Sequence, residues 1–176
     1  MQKENTQPKL YSIPCFADHR GQFAKIYTSQ KLPEFIKDFN IKEVYITTNF
    51  KRVIKGMHFQ IPPYDYDKVV YPITGQILDV LIDIRNTSPN YAKVYTYHLS
   101  SKDPKAIFIP AGFAHGFKVL SSQASVLYLQ NQIYSPQHDQ GILYNSFSFD
   151  WQIKNPIISS RDLSFPKLSD FSSPFN

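Results

Sequence analysis

The 176-residue chain holds one cysteine, one tryptophan and six glycines. A lone Cys15 excludes an internal disulfide framework and any metal site built from several cysteines. Six scattered glycines leave no phosphate-cradling loop, and no GxSxG nucleophile elbow occurs. The five histidines are His19, His58, His98, His115 and His138. None lies in an HxH or HxxxH pair, and none has a Cys or Glu at ligand spacing, so no bound metal is expected. No apolar run approaches the roughly 18–20 residues of a membrane span. The opening MQKENTQPKL lacks the apolar stretch of a secretory signal, so no membrane association and a cytoplasmic location are expected.

Apolar residues make up 42% of the chain and charged residues 19%, enough for a packed core and too little charge for a disordered chain. The length suits one domain spanning residues 1–176, with a polar, flexible arm over 1–9. Thirteen prolines outnumber the glycines, so turns must lean on Pro, Asn, Asp and Ser. The net charge of +5 fits an anionic partner. The charges are scattered and form no basic stripe with interleaved aromatics, which argues against nucleic acid.

Most of the chain reads as short strands. In 30–42, Leu32, Phe35, Ile36 and Phe39 fall at helical spacing and predict a short amphipathic helix or turn. Val69–Ile73 is strand-like, and Pro72 within it predicts an edge or an irregularity. Thr74-Gly75 marks a turn before the strand Gln76–Ile84. There Leu78, Val80, Ile82 and Ile84 form one apolar row, while Asp79, Leu81, Asp83 and Arg85 form the opposite row, facing solvent or a wet cavity. Further strands at 91–99, 106–110, 113–120 and 125–129 predict an antiparallel sandwich or barrel. The last 25 residues, poor in periodicity, are expected to wrap its surface.

Taken singly, the polar residues have ordinary explanations. His58 in KGMHFQIPP and His115 in IPAGFAHGF suit core histidines with one hydrogen bond each. Asp79 and Asp83 suit a solvent-facing strand row, and Lys68 suits a strand start. Their order is more informative. FADHRGQF, KGMHFQIPP, DKVVYPITGQILDVLIDIRNTSP, IPAGFAHGFKVL, VLYLQNQIYSP and DWQIKNPIISSRD together resemble the dTDP-4-dehydrorhamnose 3,5-epimerase family, over about residues 10–168. The resemblance implies an all-β jelly roll (double-stranded β-helix, cupin-like) with short peripheral helices, a homodimer, and no metal or organic cofactor. It implies a nucleotide-diphosphate sugar as substrate, with inversion at C3 and/or C5 of a 4-keto-6-deoxyhexose in deoxysugar and surface polysaccharide biosynthesis.

Such chemistry needs a base to remove a proton beside a ketone, a cation to hold the enolate charge, and an acid on the opposite ring face. By resemblance, His58 matches the base, Asp162 its carboxylate partner, Lys68 the cation and Tyr128 the acid. Tyr134, His115, Asp83 and Gln60 match pocket residues, and Arg20 matches a diphosphate-binding arginine. Lys55 stands where the family usually has Arg, and keeps a charge without the bidentate fork. Lys25 stands where the family usually carries an acidic residue, and the family usually carries Gln and Asn near Glu43 and Tyr45. The Ser-rich approach to the histidine motif is here TTNFKR. The proton-transfer set is thus intact and the nucleotide-facing set altered, which predicts a different nucleotide or sugar, or inversion of a single centre. A ketoisomerase and a non-catalytic sugar-nucleotide binder on the same fold are the alternatives.

Overall fold

A computed structural model describes residues 7–30 and 32–175. Two five-stranded antiparallel sheets face each other. The strands are β1 (Lys9–Ser12), β2 (Cys15–Asp18), β3 (Gly21–Ala24), β4 (Glu43–Phe50), β5 (Ile54–Gln60) and β6 (Lys68–Thr74), then β7 (Gln76–Asp83), β8 (Val94–Ser100), β9 (Lys105–Ile109), β10 (Phe113–Val119), β11 (Gln123–Gln130) and β12 (Asp139–Gly141). One sheet runs β1-β9-β6-β11-β4, the other β12-β5-β10-β7-β8, and β2 and β3 form a separate hairpin. This is the expected all-β jelly roll. The one α-helix among the described residues is α1, the single turn Ser160–Leu163.

Strand alternation builds three apolar layers from the two sheets. Val70, Ile77, Leu81, Ile107, Phe117 and Val126 meet between the sheets. Outside the first sheet, Val69, Tyr71, Phe108 and Leu129 are covered by Ile13, Ile36 and Phe39. Outside the second, Val80, Ile82, Ile84, Met57 and Phe59 are covered by Ile142, Trp151 and Phe175. The apolar row of β7 therefore faces outward, under the C-terminal segment. The row of Asp79, Leu81 and Asp83 faces the interior, where Leu81 joins the apolar layer and both carboxylates are buried. Each fully covered Val, Ile or Leu contributes about 1.5–3 kcal/mol relative to exposure, so the wrapping segment is part of the core rather than decoration.

Other expectations resolve as follows. Among the described residues, helical spacing over 30–42 yields only one 3-10 turn, Glu34–Ile36. Pro33 opens it and no side chain caps it, so Ile36 and Phe39 are buried by tertiary packing rather than by helix propensity. Pro72 lies in a central strand, not an edge. The β6–β11 register shifts beside it, Val126 pairing with Pro72 and Ser125 with Thr74, so the missing N–H falls at an irregularity. Of the arm expected over 1–9, residues 1–6 lie outside the described residues. Lys9 already opens β1, and Gln7 accepts a hydrogen bond from the Tyr95 hydroxyl at 2.6 Å. Among the described residues no helix is long and apolar enough to cross a membrane.

Candidate active site

A cavity of about 350 Å³ opens between the sheets. Its floor is β5 and β10, with Lys55, His58 and Gln60 from the first and His115, Gly116 and Phe117 from the second. Glu43 and Tyr45 of β4, Tyr128 and Gln130 of β11, and Tyr66 and Lys68 make the opposite wall. Tyr134, Asp139 and Arg161 complete the lining.

His58 is placed by a tight crossing of backbones. It pairs with His115 across β5 and β10, where the register shifts between His115 and Phe117. Gly56 has φ +116°, and a Cβ there would lie 2.6 Å from both the Gly116 Cα and the His115 carbonyl oxygen. Only glycine fits that approach. Ser159 caps α1 by accepting a hydrogen bond from the Asp162 N–H at 3.1 Å, which fixes Asp162 under the floor. One carboxylate oxygen of Asp162 meets His58 Nε2 at 2.9 Å, and the other accepts from the Gly56 N–H at 2.9 Å. Burial pushes the Asp162 carboxyl up, but the His58 contact and the Gly56 and Ser159 hydrogen bonds prevail and hold it below the usual carboxylate range. An ionised Asp162 takes Nε2–H as donor, which leaves Nδ1 as the basic nitrogen.

A second histidine–carboxylate pair lies beside it. His115 Nε2 is 2.8 Å from Asp79 Oδ2, both fully enclosed. Burial, opposed by Asp79, pushes the His115 imidazole down, so it stays neutral near pH 7. Lys68 is 4% exposed. Burial lowers its ammonium to about 8 against the pull of the Asp79 and Asp139 carboxylates. Its Nζ lies 5.1 Å from the centre of the Tyr66 ring. Burial raises the Tyr128 phenol well above its ordinary value, so it keeps its proton at neutral pH. The cavity therefore joins a basic nitrogen, a buried cation and a protonated phenol, the three components of enolisation and reprotonation.

Not every expected residue joins them. Gln60 lines the cavity, but its amide is committed. Its Nε2 donates to the Tyr64 carbonyl at 2.7 Å and the Ile133 carbonyl at 3.2 Å, and its Oε1 accepts from the Ser135 N–H at 2.6 Å. Tyr134 lies at the mouth, 55% exposed, with its N–H donating to Glu43 Oε2 at 2.7 Å. Burial depresses the Lys55 ammonium, with Asp162 opposing the effect. Asp83 is displaced from the expected role. It is buried beneath Arg85, accepting from Arg85 Nε at 2.9 Å and from the Ser88 hydroxyl at 2.7 Å, and it does not line the cavity. The Asp83-Ile84-Arg85-Asn86-Thr87-Ser88-Pro89 run explains this: it is a turn closed by an Asp side chain. The carboxylate that meets His115 is Asp79, in the same strand row. Arg20 is also outside the cavity, on the tip of the β2–β3 hairpin, in an exposed ion pair with Asp18 at 2.6 Å.

Sequence reasoning passed over Tyr66, Gln130, Asp139 and Arg161. Arg161 directly precedes Asp162, so its nearness follows from α1 once Asp162 is placed. It pairs with Asp139 at 2.6 Å and stacks on Phe165 at 5.1 Å. Gln130 carries the inward period-two phase two residues beyond Tyr128.

The sequence profile of the dTDP-4-dehydrorhamnose 3,5-epimerase family matches residues 7–170. A dTDP-4-dehydrorhamnose 3,5-epimerase of Shigella flexneri is 34% identical over 170 residues, covering 92% of this chain and 91% of its own. The solved dTDP-4-dehydrorhamnose 3,5-epimerase of Sulfolobus tokodaii superposes with a TM-score of 0.87 at 33% identity, over 96% of this chain and 94% of its own. A Legionella pneumophila dTDP-6-deoxy-D-glucose-3,5-epimerase, solved in complex with dTDP-4-keto-L-rhamnose, superposes with a TM-score of 0.86 at 26% identity, over 94% and 89% of the two chains. With the jelly roll and the paired histidine and carboxylate already in place, these matches show that the chain belongs to the dTDP-4-dehydrorhamnose 3,5-epimerase family.

Proposed function

We infer that the protein is an epimerase of nucleotide-linked 4-keto-6-deoxyhexoses, acting in deoxysugar biosynthesis. The observation that carries this reading is the His58–Asp162 pair opening into the same cavity as Lys68 and Tyr128. His58 Nδ1 takes the proton from the carbon beside the C4 ketone, and the bonding pair moves into an enolate. The Lys68 ammonium holds the charge that gathers on the ketone oxygen. Tyr128 returns a proton from the opposite face, inverting the centre, and both groups re-equilibrate with solvent. The reaction is a net isomerisation, so no oxidant or reductant is consumed. His115, held neutral against Asp79, shapes the floor beside the ketone site.

Lys55 and Arg161 offer cationic partners for the diphosphate at the cavity wall. Arg20, remote in one chain, would reach the diphosphate of a neighbouring copy in a homodimer. Glu43 and Tyr45 support recognition of a nucleotide or sugar other than dTDP-4-keto-6-deoxyglucose, since an anion and a large ring stand near where the family usually carries Gln and Asn. Cytoplasmic nucleotide-sugar metabolism is the setting that fits a chain with one unpaired cysteine.

The test is solvent deuterium uptake. In heavy water with a panel of dTDP-, UDP-, CDP- and GDP-linked 4-keto-6-deoxy sugars, label at C3 and C5 of one substrate, read by NMR, is the expected result. His58→Ala is expected to abolish uptake while the nucleotide still binds. Uptake retained in that variant would remove His58 as the base. Uptake only with dTDP would defeat the altered-nucleotide reading.

A further inference from the structure

The wall opposite His58 is a ladder across three strands. β4, β11 and β6 place Glu43, Gln130 and Lys68 on one rung, and Tyr45, Tyr128 and Val70 two residues on, on the same face. Tyr45 and Tyr128 stack nearly parallel, with centroids 4.6 Å apart and an interplanar angle of 12°. The Tyr45 hydroxyl accepts a hydrogen bond from Gln130 Nε2 at 2.9 Å. Gln130, 4% exposed, lines the same wall as Tyr66, whose ring lies against the Lys68 ammonium. The stack and its Gln130 anchor therefore sit on the wall that carries both the phenol and the ammonium that the proposed reaction requires to act on one sugar ring.

A phenol that reprotonates a carbanion must reach one ring face at one angle. A tyrosine ring fixed only by its own two torsions can rock, and a flat neighbour anchored at its far end removes that freedom. Tyr45 has this placement, and it lies where the chain departs from the usual pattern of its family. We propose that Tyr45, anchored by Gln130, is a positioning residue that holds Tyr128 in register with Lys68 for the reprotonation step. The inference rests on the epimerase reading given above.

The experiment compares inversion with solvent exchange in wild type, Tyr45→Leu and Tyr45→Phe, using whichever keto-sugar the wild type labels. Leucine keeps apolar bulk at a pocket-mouth position but removes both the stack and the anchor. Phenylalanine keeps the stack alone. In Tyr45→Leu, proton removal continues and label returns from the His58 face, so the ratio of inversion to exchange is expected to fall about 10- to 100-fold. KM reads any direct contact of Tyr45 with the substrate separately, so the ratio of inversion to exchange, not KM, reports the positioning role. Tyr45→Phe should recover most of the ratio. Gln130→Met, which removes the anchor without touching the ring, should give a smaller fall and serves if the leucine variant does not fold. An unchanged ratio, a rise in KM alone, or equal damage from Leu and Phe would overturn the proposal. If wild type exchanges no label with any sugar, the epimerase reading fails and this inference with it. Wild-type exchange with an unaltered ratio in the variants defeats the inference alone.

Discussion

At the scale of single residues, the site separates groups by the proton each must hold. Asp162 is kept ionised by His58, Gly56 and Ser159, and Tyr128 is kept neutral by burial. Lys68 is the group whose charge is least secure, because burial brings it down to about 8. In the proposed reaction the active form is the ammonium, present below that value and lost above it. The expected pH profile of kcat/KM therefore falls as pH rises through about 8, and the limb should vanish, with a much lower plateau, in Lys68→Met. Asp162→Asn should be severe for a different reason. An amide that donates to Nε2 would force the proton onto Nδ1, leaving no basic nitrogen toward the sugar. Steady-state turnover is expected to fall about 10²-fold or more, with nucleotide affinity kept. For His58, Asp162, Lys68 and Tyr128 the legible signal was the order of the motifs along the chain, since each residue taken singly has an ordinary explanation. Asp79 and Asp83 share a strand row and a residue type, and what separates them is the turn that Asp83 closes and the register of β7. The β7–β10 pairing sets Asp79 opposite Phe117, near the middle of β7, and Asp83 opposite Phe113, at its end.

At the scale of elements, the strands were readable because period-two alternation survives wherever two faces differ. The alternation of β7 predicted two faces correctly, and what it could not supply was which face met the cavity. An apolar row is ordinarily assigned to the interior; here the C-terminal Trp151 and Phe175 cover it from outside. The stretch 30–42 misleads for a related reason: apolar residues at helical spacing also serve a chain that turns once and lies on a sheet. The β5–β10 crossing is the element on which the site depends most. Gly56→Ala must open the contact with Gly116 and adopt a disfavoured φ, costing about 1–3 kcal/mol from backbone strain alone. Denaturant titration should show that loss. Exchange should fall further than stability does, because the Gly56 N–H also holds Asp162.

At the scale of the whole molecule, one chain leaves apolar surface that a solitary jelly roll has no use for. Phe16 and Phe23 pair across the β2–β3 hairpin at 71% and 57% exposure. Val44, Ile46 and Phe50 stand out from β4, which ends its sheet as an edge strand. Exposed apolar groups on an edge strand favour burial against another chain. The same hairpin carries Arg20, the one expected diphosphate ligand that lies far from the cavity. Both observations fit a homodimer in which each hairpin serves its partner's site. Scattering or sedimentation should then report twice the chain mass, and Ile46→Asp with Phe50→Asp should halve it. Complementation tests the shared site directly. Arg20→Ala alone should bind the nucleotide sugar poorly, and His58→Ala alone should not exchange label. Mixed and allowed to re-pair, the two variants form dimers in which one cavity has His58 from one chain and Arg20 from the other. Deuterium uptake above the sum of the separate variants is the expected result. If uptake merely adds, Arg20 serves its own chain or none, and the diphosphate rests on Lys55 and Arg161 alone.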